Sequence, residues 1–165
     1  MDLGLKGKRA IVTGGTRGIG RKIVDFLVAE GCDVGLCARD AGPVDEAVET
    51  LSKGGGTVIG GVVDVTDDTG VRAWVANTAR AMGGLDILIP NASALVGSAS
   101  VSDWRLGMEV DILGTVRAVE AAMPFLEESD AASIVAIAST AAVNISGGVR
   151  AYSGHKAAII SYMSA

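Results

Sequence analysis

Short runs of hydrophobic residues alternate along this chain with longer segments in which apolar side chains recur every three or four positions. The uninterrupted runs predict five buried strands, at 9–13, 33–37, 57–63, 85–89 and 133–138. The segments of helical period predict helices at 21–30, 44–52, 66–82 and 102–126, and another from Tyr152 onward. Strands that alternate with helices favour β-α-β units. We therefore expect an α/β fold of the Rossmann type, a doubly wound parallel sheet with helices on both faces.

Several glycines and one threonine stand where these helices should begin or end. Gly31 follows the first predicted helix, and Gly83 and Gly84 follow the third, where glycine commonly ends a helix. Thr66 stands where a hydroxyl side chain would cap the start of the third helix. The last helical pattern runs to the end of the chain with no stop signal. We therefore expect one dinucleotide-binding domain over residues 1–165, with its C-terminal strands missing from this chain.

Composition excludes several classes of protein. Apolar residues make up 49% of the 165 positions and charged residues 20%, so the chain is not of the disordered class. Glycine is frequent, at 23 residues, but has no collagen-like period. Fourteen Lys and Arg face nineteen Asp and Glu, a net charge of −5, and no basic stripe is present. Nucleic acid is therefore not an expected partner.

The sequence also bears on compartment and on metal sites. The first residues lack the apolar core of a signal peptide, and no stretch of 18 apolar residues could span a membrane. Cys32 and Cys37 suit small buried thiols of a reducing compartment better than a disulfide. His155 is the single histidine, so no metal site is expected. We expect a cytoplasmic protein that binds no membrane.

The most informative loop, Thr-Gly-Gly-Thr-Arg-Gly-Ile-Gly at 13–20, joins the first predicted strand to the first predicted helix. Glycines allow a pyrophosphate to approach the backbone, and the helix N-terminus offers unpaired N–H groups to an anion. A plain strand-to-helix turn is the alternative. The loop residues predicted to contact a dinucleotide are Gly14, Thr16, Arg17, Gly18, Ile19 and Gly20.

Other residues bear on which dinucleotide would bind. Asp64 closes the third strand, where it could accept a hydrogen bond from an adenine amino group; a solvated carboxylate or a helix cap is the alternative. Arg39 ends the second strand, where dinucleotide enzymes distinguish a ribose hydroxyl from a 2′-phosphate. No acidic residue stands at 36–38, and Arg17 and Arg39 are two nearby cations, although Asp40 adjoins Arg39. An ordinary surface charge is the alternative for either arginine. NADP(H) is therefore favoured over NAD(H).

A possible catalytic group lies near the end of the chain. Tyr152 and Lys156 are four residues apart, which places both on one face of a helix. A neighbouring ammonium favours the deprotonated form of a phenol, which suits a general acid/base. Ser139 follows the fifth strand at the ligand-binding edge of such a sheet and could polarise a carbonyl. Each feature alone is common, and His155 beside Lys156 is predicted to lie on the helix surface.

Taken together, these residues resemble the short-chain dehydrogenase/reductase family. The resemblance extends along the whole chain, and twelve residues separate Ser139 from Tyr152, as is usual in the family. It implies that Tyr152 is the proton donor or acceptor, that Ser139 orients the carbonyl, and that Lys156 binds the nicotinamide ribose. It adds to the cofactor-binding residues Asp64 and Val65, Asn91 and Ala92, and Tyr152 and Lys156 themselves.

Three segments depart from the family pattern. The N-N-A-G segment reads Pro-Asn-Ala-Ser at 90–93. The fourth catalytic position, usually Asn, is Asp111, which could serve through its main-chain carbonyl or could attract Lys156. The helix after Tyr152 carries Gly154, which costs up to about 1 kcal/mol of helix stability relative to Ala, and His155.

The sequence thus predicts an NAD(P)H-dependent oxidoreductase that interconverts a carbonyl and a secondary alcohol. The resemblance also implies a homodimer or homotetramer. A nucleotide-binding protein without catalytic activity and an inactive fragment of a longer reductase remain as alternatives.

Overall fold

The computed structural model describes residues 3–54, 56–144 and 150–165, and its centre is a parallel β-sheet. The strands are β1 (Arg9–Thr13), β2 (Asp33–Ala38), β3 (Val58–Val62), β4 (Ile87–Ile89) and β5 (Ser133–Ile134). Their order is β3-β2-β1-β4-β5, and every neighbouring pair is parallel. The predicted doubly wound sheet is confirmed. The chain changes direction of winding between β1 and β4, where sheets of this kind bind ligands at their carboxyl edge.

Six helices flank the sheet in the described part of the chain. They are α1 (Gly18–Ala29), α2 (Ala41–Leu51), α3 (Asp68–Ala81), α4 (Val101–Gly107), α5 (Gly114–Leu126) and α6 (Arg150–Met163). A π-helical segment, Met108–Leu113, joins α4 to α5 without a break. The long helix predicted over 102–126 is therefore present but not uniform. None of these helices is long and apolar enough to cross a membrane.

Hydrophobic cores cover both faces of the sheet. Ala10 and Val12 of β1 pack on one face, while Ile11, between them, points to the other. The first face meets α1 and α2, through Val24, Leu27, Val28, Ala47 and Leu51. The second meets α3 and α5, through Val71, Val75, Ala79, Ala118 and Ala122. A sheet buried on both faces explains why its strands are uninterrupted apolar runs rather than alternating ones.

Several helix starts differ from the sequence prediction; α2, for example, begins at Ala41 and not at Val44. Helix α1 begins at Gly18, within the predicted loop. The predicted Thr66 cap is wrong, because α3 begins after Asp67. The N–H and hydroxyl groups of Thr66 instead both donate to Asp64 Oδ1, at 2.9 and 2.8 Å. The hydroxyl is thus engaged in a turn two residues before the helix.

Strand β5 is shorter than predicted, although its pairing with β4 extends further. The N–H groups of Val135 and Ile137 donate to the carbonyls of Leu88 and Pro90, at 3.0 and 3.1 Å. Among the described residues, β5 has a strand neighbour on one side only. These hydrogen bonds keep the chain beside β4 as far as Ile137, two residues before Ser139.

Both cysteines are free and buried, as predicted. Burial raises the pKa of the Cys37 thiol to about 12. This thiol therefore stays protonated at neutral pH and behaves as a small apolar side chain.

Candidate active site

The glycine loop lies between β1 and α1 at the carboxyl edge of the sheet. Gly14 and Gly18 have φ angles of +68° and +57°, which side chains rarely adopt. At Gly20 a Cβ atom would overlap the Gly14 carbonyl oxygen and the Asn91 side chain. The backbone therefore folds tightly over the first turn of α1, and glycine is favoured by the positive φ at Gly14 and Gly18 and by lack of space at Gly20.

Asn91 fixes this loop from the end of β4. Its Nδ2 donates to the carbonyls of Thr13 and Gly14, at 3.0 and 3.1 Å. The backbone N–H groups of Asn91 and Ala92 both donate to Thr13 Oγ1, at 3.0 and 3.1 Å. Thr13 was not singled out from the sequence. The feature that could have indicated it is its position as a polar residue at the end of an apolar strand. Asn91 and Ala92 thus hold the shape of the glycine loop.

The loop has the features that an anionic group requires. Arg17 precedes α1 and makes no side-chain capping hydrogen bond. The first N–H groups of a helix have no partner within it and favour a negative charge. Thr16 is half-buried, and Arg17 and Ile19 are exposed around the same turn. These residues fit a pyrophosphate, because the backbone there is open to close approach.

The residues predicted to select the nucleotide lie at the ends of β2 and β3. Asp64 is exposed, and Val65 beside it is buried. The Thr66 N–H, and more weakly the Arg39 guanidinium, hold the pKa of Asp64 below its ordinary value. Arg17 and Arg39 are exposed and form no ion pair with any described residue. Both cations therefore remain available to a ligand.

Tyr152 and Lys156 lie together on α6. Lys156 Nζ is 5.7 Å from the centroid of the Tyr152 ring. It donates to the carbonyl of Ile137, at 2.9 Å, and lies 3.5 Å from Asp111 Oδ1. The side chains of Lys156 and Asp111 are only 3% and 2% exposed, so water hardly reaches this ion pair. Tyr152 is half-buried, and its hydroxyl makes no hydrogen bond within the described residues.

Asp111 lies in the π-helical segment and connects Lys156 to the loop after β4. Ser93 Oγ donates to Asp111 Oδ1, at 2.5 Å, and the Ala94 N–H donates to Oδ2, at 2.8 Å. Two hydrogen-bond donors and the Lys156 ammonium thus surround one buried carboxyl group. The main-chain carbonyl of Asp111 accepts a hydrogen bond from Thr115 Oγ1, at 2.7 Å. Sequence reasoning identified Asp111 but not Ser93 or Thr115.

Ser139 starts a short 3₁₀ turn, Thr140–Ala142, against which α6 packs. Its Oγ accepts a hydrogen bond from the Ala141 N–H, at 3.1 Å. This contact orients the hydroxyl group and leaves its O–H free to donate a hydrogen bond to another group. Ser139 thus lies at the carboxyl edge of the sheet beside the helix that carries Tyr152.

The prediction that His155 lies on the helix surface is wrong. His155 is fully buried, with Nε2 3.1 Å from the Trp104 carbonyl oxygen and its ring edge-on to the indole at 4.9 Å. The helix face that seemed free is covered by α4. Two glycines, Gly107 and Gly154, were the sequence signal that two helices approach closely here.

Comparisons with known proteins agree with this architecture. The sequence matches the family of short chain dehydrogenases over residues 8–165. An isoepoxydon dehydrogenase from Penicillium expansum is 34% identical over 138 residues, which cover 82% of this chain and 53% of that protein. A 3-oxoacyl-[acyl-carrier-protein] reductase from Chlamydia pneumoniae is 31% identical over 166 residues, covering 98% of this chain and 67% of that protein. The chain thus spans about half the length of the Penicillium relative.

Solved structures agree as well. A short chain dehydrogenase from Burkholderia cenocepacia in complex with NADP superposes with a TM-score of 0.90 at 34% identity, covering 96% of this chain and 66% of that one. A short chain dehydrogenase/reductase from Burkholderia phymatum in complex with NAD gives 0.89 at 29% identity, covering 97% of this chain and 59% of that one. The family match spans nearly all of the sequence and includes both the glycine loop and the Tyr152–Lys156 pair. The chain belongs to the short-chain dehydrogenase/reductase family of oxidoreductases.

Proposed function

We propose that residues 1–165 form one dinucleotide-binding domain of an NADP(H)-dependent oxidoreductase that interconverts a carbonyl and a secondary alcohol. The observation that carries this proposal is the buried Lys156 ammonium, 5.7 Å from the Tyr152 ring centroid. Ser139 lies on a turn packed against the same helix. A phenol, an ammonium and a hydroxyl group at one sheet edge are the groups that this reaction needs.

Residues at the carboxyl ends of β1 to β4, together with two residues of α6, would contribute to cofactor binding. The pyrophosphate would contact the glycine loop, and Asp64 and Val65 would contact the adenine. Asn91 and Ala92 would hold the loop in place, and Tyr152 and Lys156 would contact the nicotinamide ribose. The nicotinamide would supply or accept the hydride. The cofactor-binding residues in this proposal are Gly14, Thr16, Arg17, Gly18, Ile19, Gly20, Arg39, Asp64, Val65, Asn91, Ala92, Tyr152 and Lys156.

The protein side chains would handle the proton. The Tyr152 hydroxyl gives a proton to the carbonyl oxygen or takes one from the alcohol. The Lys156 ammonium, 5.7 Å from the Tyr152 ring centroid, places a positive charge beside the phenol during this proton transfer. Ser139, whose oxygen already accepts a hydrogen bond from the Ala141 N–H, donates a hydrogen bond to the substrate oxygen and keeps its proton. Asp111 holds Lys156 in place through the buried ion pair.

Replacing the proposed acid/base tests this function directly. In Tyr152→Phe we expect turnover to fall by about 10²–10⁴-fold, the usual contribution of a general acid/base. NADPH affinity should fall only slightly, because the variant loses one hydroxyl contact to the nicotinamide ribose and keeps the glycine loop and Lys156. Steady-state kinetics over a panel of ketones and alcohols, with a fluorescence titration of NADPH, make the measurement. Turnover retained in this variant would remove Tyr152 from the mechanism.

The preference for NADP(H) rests on Arg17 and Arg39. Two exposed cations without ion-pair partners suit a 2′-phosphate. In Arg39→Gln we expect NADPH to bind at least about tenfold more weakly, a loss of about 1.4 kcal/mol, and NADH to bind as before. Arg80→Gln removes another exposed arginine, on α3, and is the matched control. If NADH binds the wild type more tightly than NADPH, the preference is reversed.

A nucleotide-binding protein without catalytic activity is the second candidate. It is favoured by the buried Asp111 carboxylate, which engages Lys156 at 3.5 Å where the family usually has Asn. This candidate predicts saturable NADPH binding by the wild type with no turnover across the panel. It also predicts that Asp111→Asn, which frees Lys156, would create turnover. Turnover by the wild type excludes it.

The proposal includes a compartment and an assembly. Two buried free thiols suit a reducing compartment such as the cytoplasm. Exposed apolar side chains on α4 and the π-helical segment suit an interface between copies in a homodimer or homotetramer; they are Val101, Trp104, Leu106 and Met108. Light scattering of the purified protein, with Leu106→Glu as the variant expected to dissociate it, tests the assembly.

A further inference from the structure

Two adjacent residues of α6 contact the π-helical segment and the α4 turn just before it. Lys156 meets Asp111 in the middle of the segment, at 3.5 Å. His155 meets the carbonyl of Trp104, on the α4 turn just before the segment, with Nε2 at 3.1 Å. The proposed mechanism uses Lys156 and Asp111 and gives His155 no part.

Where the bonding changes from α- to π-helical, some main-chain carbonyl groups can accept a further hydrogen bond, and side chains donate it. The Met108 N–H is shared between the carbonyls of Trp104 and Arg105. Within the segment, the Gly114 N–H reaches back five residues to the Glu109 carbonyl, the wider π-type bond. A shared donor gives each carbonyl a weaker bond than a donor of its own would give. The Trp104 carbonyl therefore has room for a second donor.

Side chains supply donors along the whole segment. Thr115 Oγ1 donates to the Asp111 carbonyl, at 2.7 Å, and Arg117 Nη1 donates to the Glu109 carbonyl, at 3.2 Å. His155 Nε2 donates in the same way to the carbonyl of Trp104, on the α4 turn just before the segment. The first two donors come from α5, the continuation of the same helix. Of these three donors, His155 alone lies on α6, the helix that carries Tyr152 and Lys156.

The shape of the two helices places His155 at this point. A Cβ atom on Gly107 would overlap the His155 ring, and a Cβ atom on Gly154 would overlap the Trp104 indole. Each large side chain thus fills the space that a glycine leaves on the opposite helix. Helices α4 and α6 can approach closely only in this register.

The hydrogen bonding of the ring suits a donor role. His155 is fully buried, and its Nδ1 has no partner among the described residues. A proton on Nδ1 would be a buried donor without an acceptor, which is unfavourable. The pattern therefore fits a ring whose Nε2–H is directed at the Trp104 carbonyl.

We propose that His155 is a positioning residue that stabilises the π-helical segment in the register that places Asp111 against Lys156. A π-type turn adds one residue to the helix, which rotates the following positions by about 100°. If the segment returned to α-helical bonding, the Asp111 carboxylate would turn away from Lys156. The catalytic consequence rests on the proposed function, whereas the structural consequence does not.

Two substitutions separate the hydrogen bond from the volume of the ring. In His155→Gln the amide can still donate to the Trp104 carbonyl, whereas His155→Met fills similar space without a donor. We expect amide hydrogen exchange at 108–113 to accelerate at least about fivefold in the Met variant, a local opening that the Gln variant suppresses. We expect kcat to fall by about tenfold or more in the Met variant, since a 1 Å displacement can cost about a hundredfold. KM for NADPH should change little, because the glycine loop is distant in the chain and separately held.

The exchange measurement is made on the natural full-length protein without cofactor, so it decides the positioning role even if the wild type proves inactive. Unchanged exchange at 108–113 in His155→Met would overturn the proposal, as would equal losses of kcat in the Met and Gln variants. If His155→Met does not fold, Gly107→Ala displaces the ring from the other side, and the same two readouts apply. Exchange at 108–113 as slow as in the wild type would then overturn the proposal.

Discussion

Two single-residue departures from the family pattern compensate each other. Serine stands at position 93, where the family has glycine, and aspartate stands at 111, where it usually has asparagine. The structure joins them by the hydrogen bond from Ser93 Oγ to Asp111 Oδ1. A buried carboxylate needs donors that an amide at the same place would not need. The serine supplies one of them, so the two positions are best considered as a pair.

Asn91 allows a test at the same scale. Asn91→Asp exchanges two N–H donors for a carboxylate that faces the carbonyls of Thr13 and Gly14. We expect the free energy of unfolding to fall by about 2 kcal/mol, as for buried acceptors left unpaired, and NADPH to bind more weakly. Urea unfolding and a cofactor titration measure the two effects.

Asn77→Asp is the matched control for this change, because Asn77 is exposed on α3 and should shift stability by no more than about 0.5 kcal/mol. An Asn91→Asp variant as stable as this control would show that the amide does not hold the loop.

At the scale of elements, Gly154 has a use that helix propensity hides. Glycine weakens a helix interior by about 1 kcal/mol relative to alanine, yet at this position it leaves room for the Trp104 indole. The same arrangement occurs at Gly107, where the missing side chain leaves room for the His155 ring. The cost within α6 is thus offset by the close packing of α4 against it.

Gly154→Ala should therefore lower stability, by about 1–3 kcal/mol from overpacking, although alanine is the better helix former. Thermal unfolding measures the change, and Trp104→Phe in the same chain should recover part of the loss. Gly42→Ala, in α2, meets no atom within 4 Å and is the control. It should stabilise the protein by about 0.4–1 kcal/mol. A stabilising Gly154→Ala would contradict the packing described here.

At the scale of the whole molecule, one ion pair fastens the amino edge of the sheet, opposite the site. Asp86, just before β4, accepts hydrogen bonds from Arg9 Nε, at 2.9 Å, from Arg9 Nη2, at 2.7 Å, and from Ser129 Oγ, at 2.6 Å. The Arg9 guanidinium, and after it the Ser129 hydroxyl, hold the pKa of Asp86 well below its ordinary value. The carboxylate thereby joins the starts of β1 and β4 to the chain that leads into β5.

Asp86→Asn should reduce the free energy of unfolding at pH 7 by about 2–3 kcal/mol. Because the folded pKa is lowered, the contribution of Asp86 is complete above its ordinary value of 3.8 and is lost as the pH falls below it. The difference in free energy of unfolding between wild type and Asp86→Asn should therefore become smaller below about pH 4. Urea titrations between pH 7 and pH 2 measure it.

Asp68→Asn breaks an exposed pair with Arg72 and is the control, with an expected change below about 1 kcal/mol. A difference between wild type and Asp86→Asn that stays constant down to pH 2 would contradict the role of the ionised carboxylate.

The sequence by itself determined the features that depend on residues close together in the chain. Uninterrupted apolar runs predicted the strands because both faces of the sheet are covered, and the period between them predicted the helices. The loop at 13–20 and the spacing of Tyr152 and Lys156 are local as well, since a turn type and one helical turn are set within a few residues. These features carried the resemblance to the family that the comparisons confirmed.

Only the tertiary structure decided which face of a helix is buried and which buried groups meet. His155 looked exposed because helical spacing says where a face is, but not whether another helix covers it. The π-helical turn that directs Asp111 at Lys156 depends on donors from α5 and α6, which have no local pattern. Ser93 became a partner of Asp111 through contacts between distant segments. Such pairings depend on packing distances, which the order of residues does not contain.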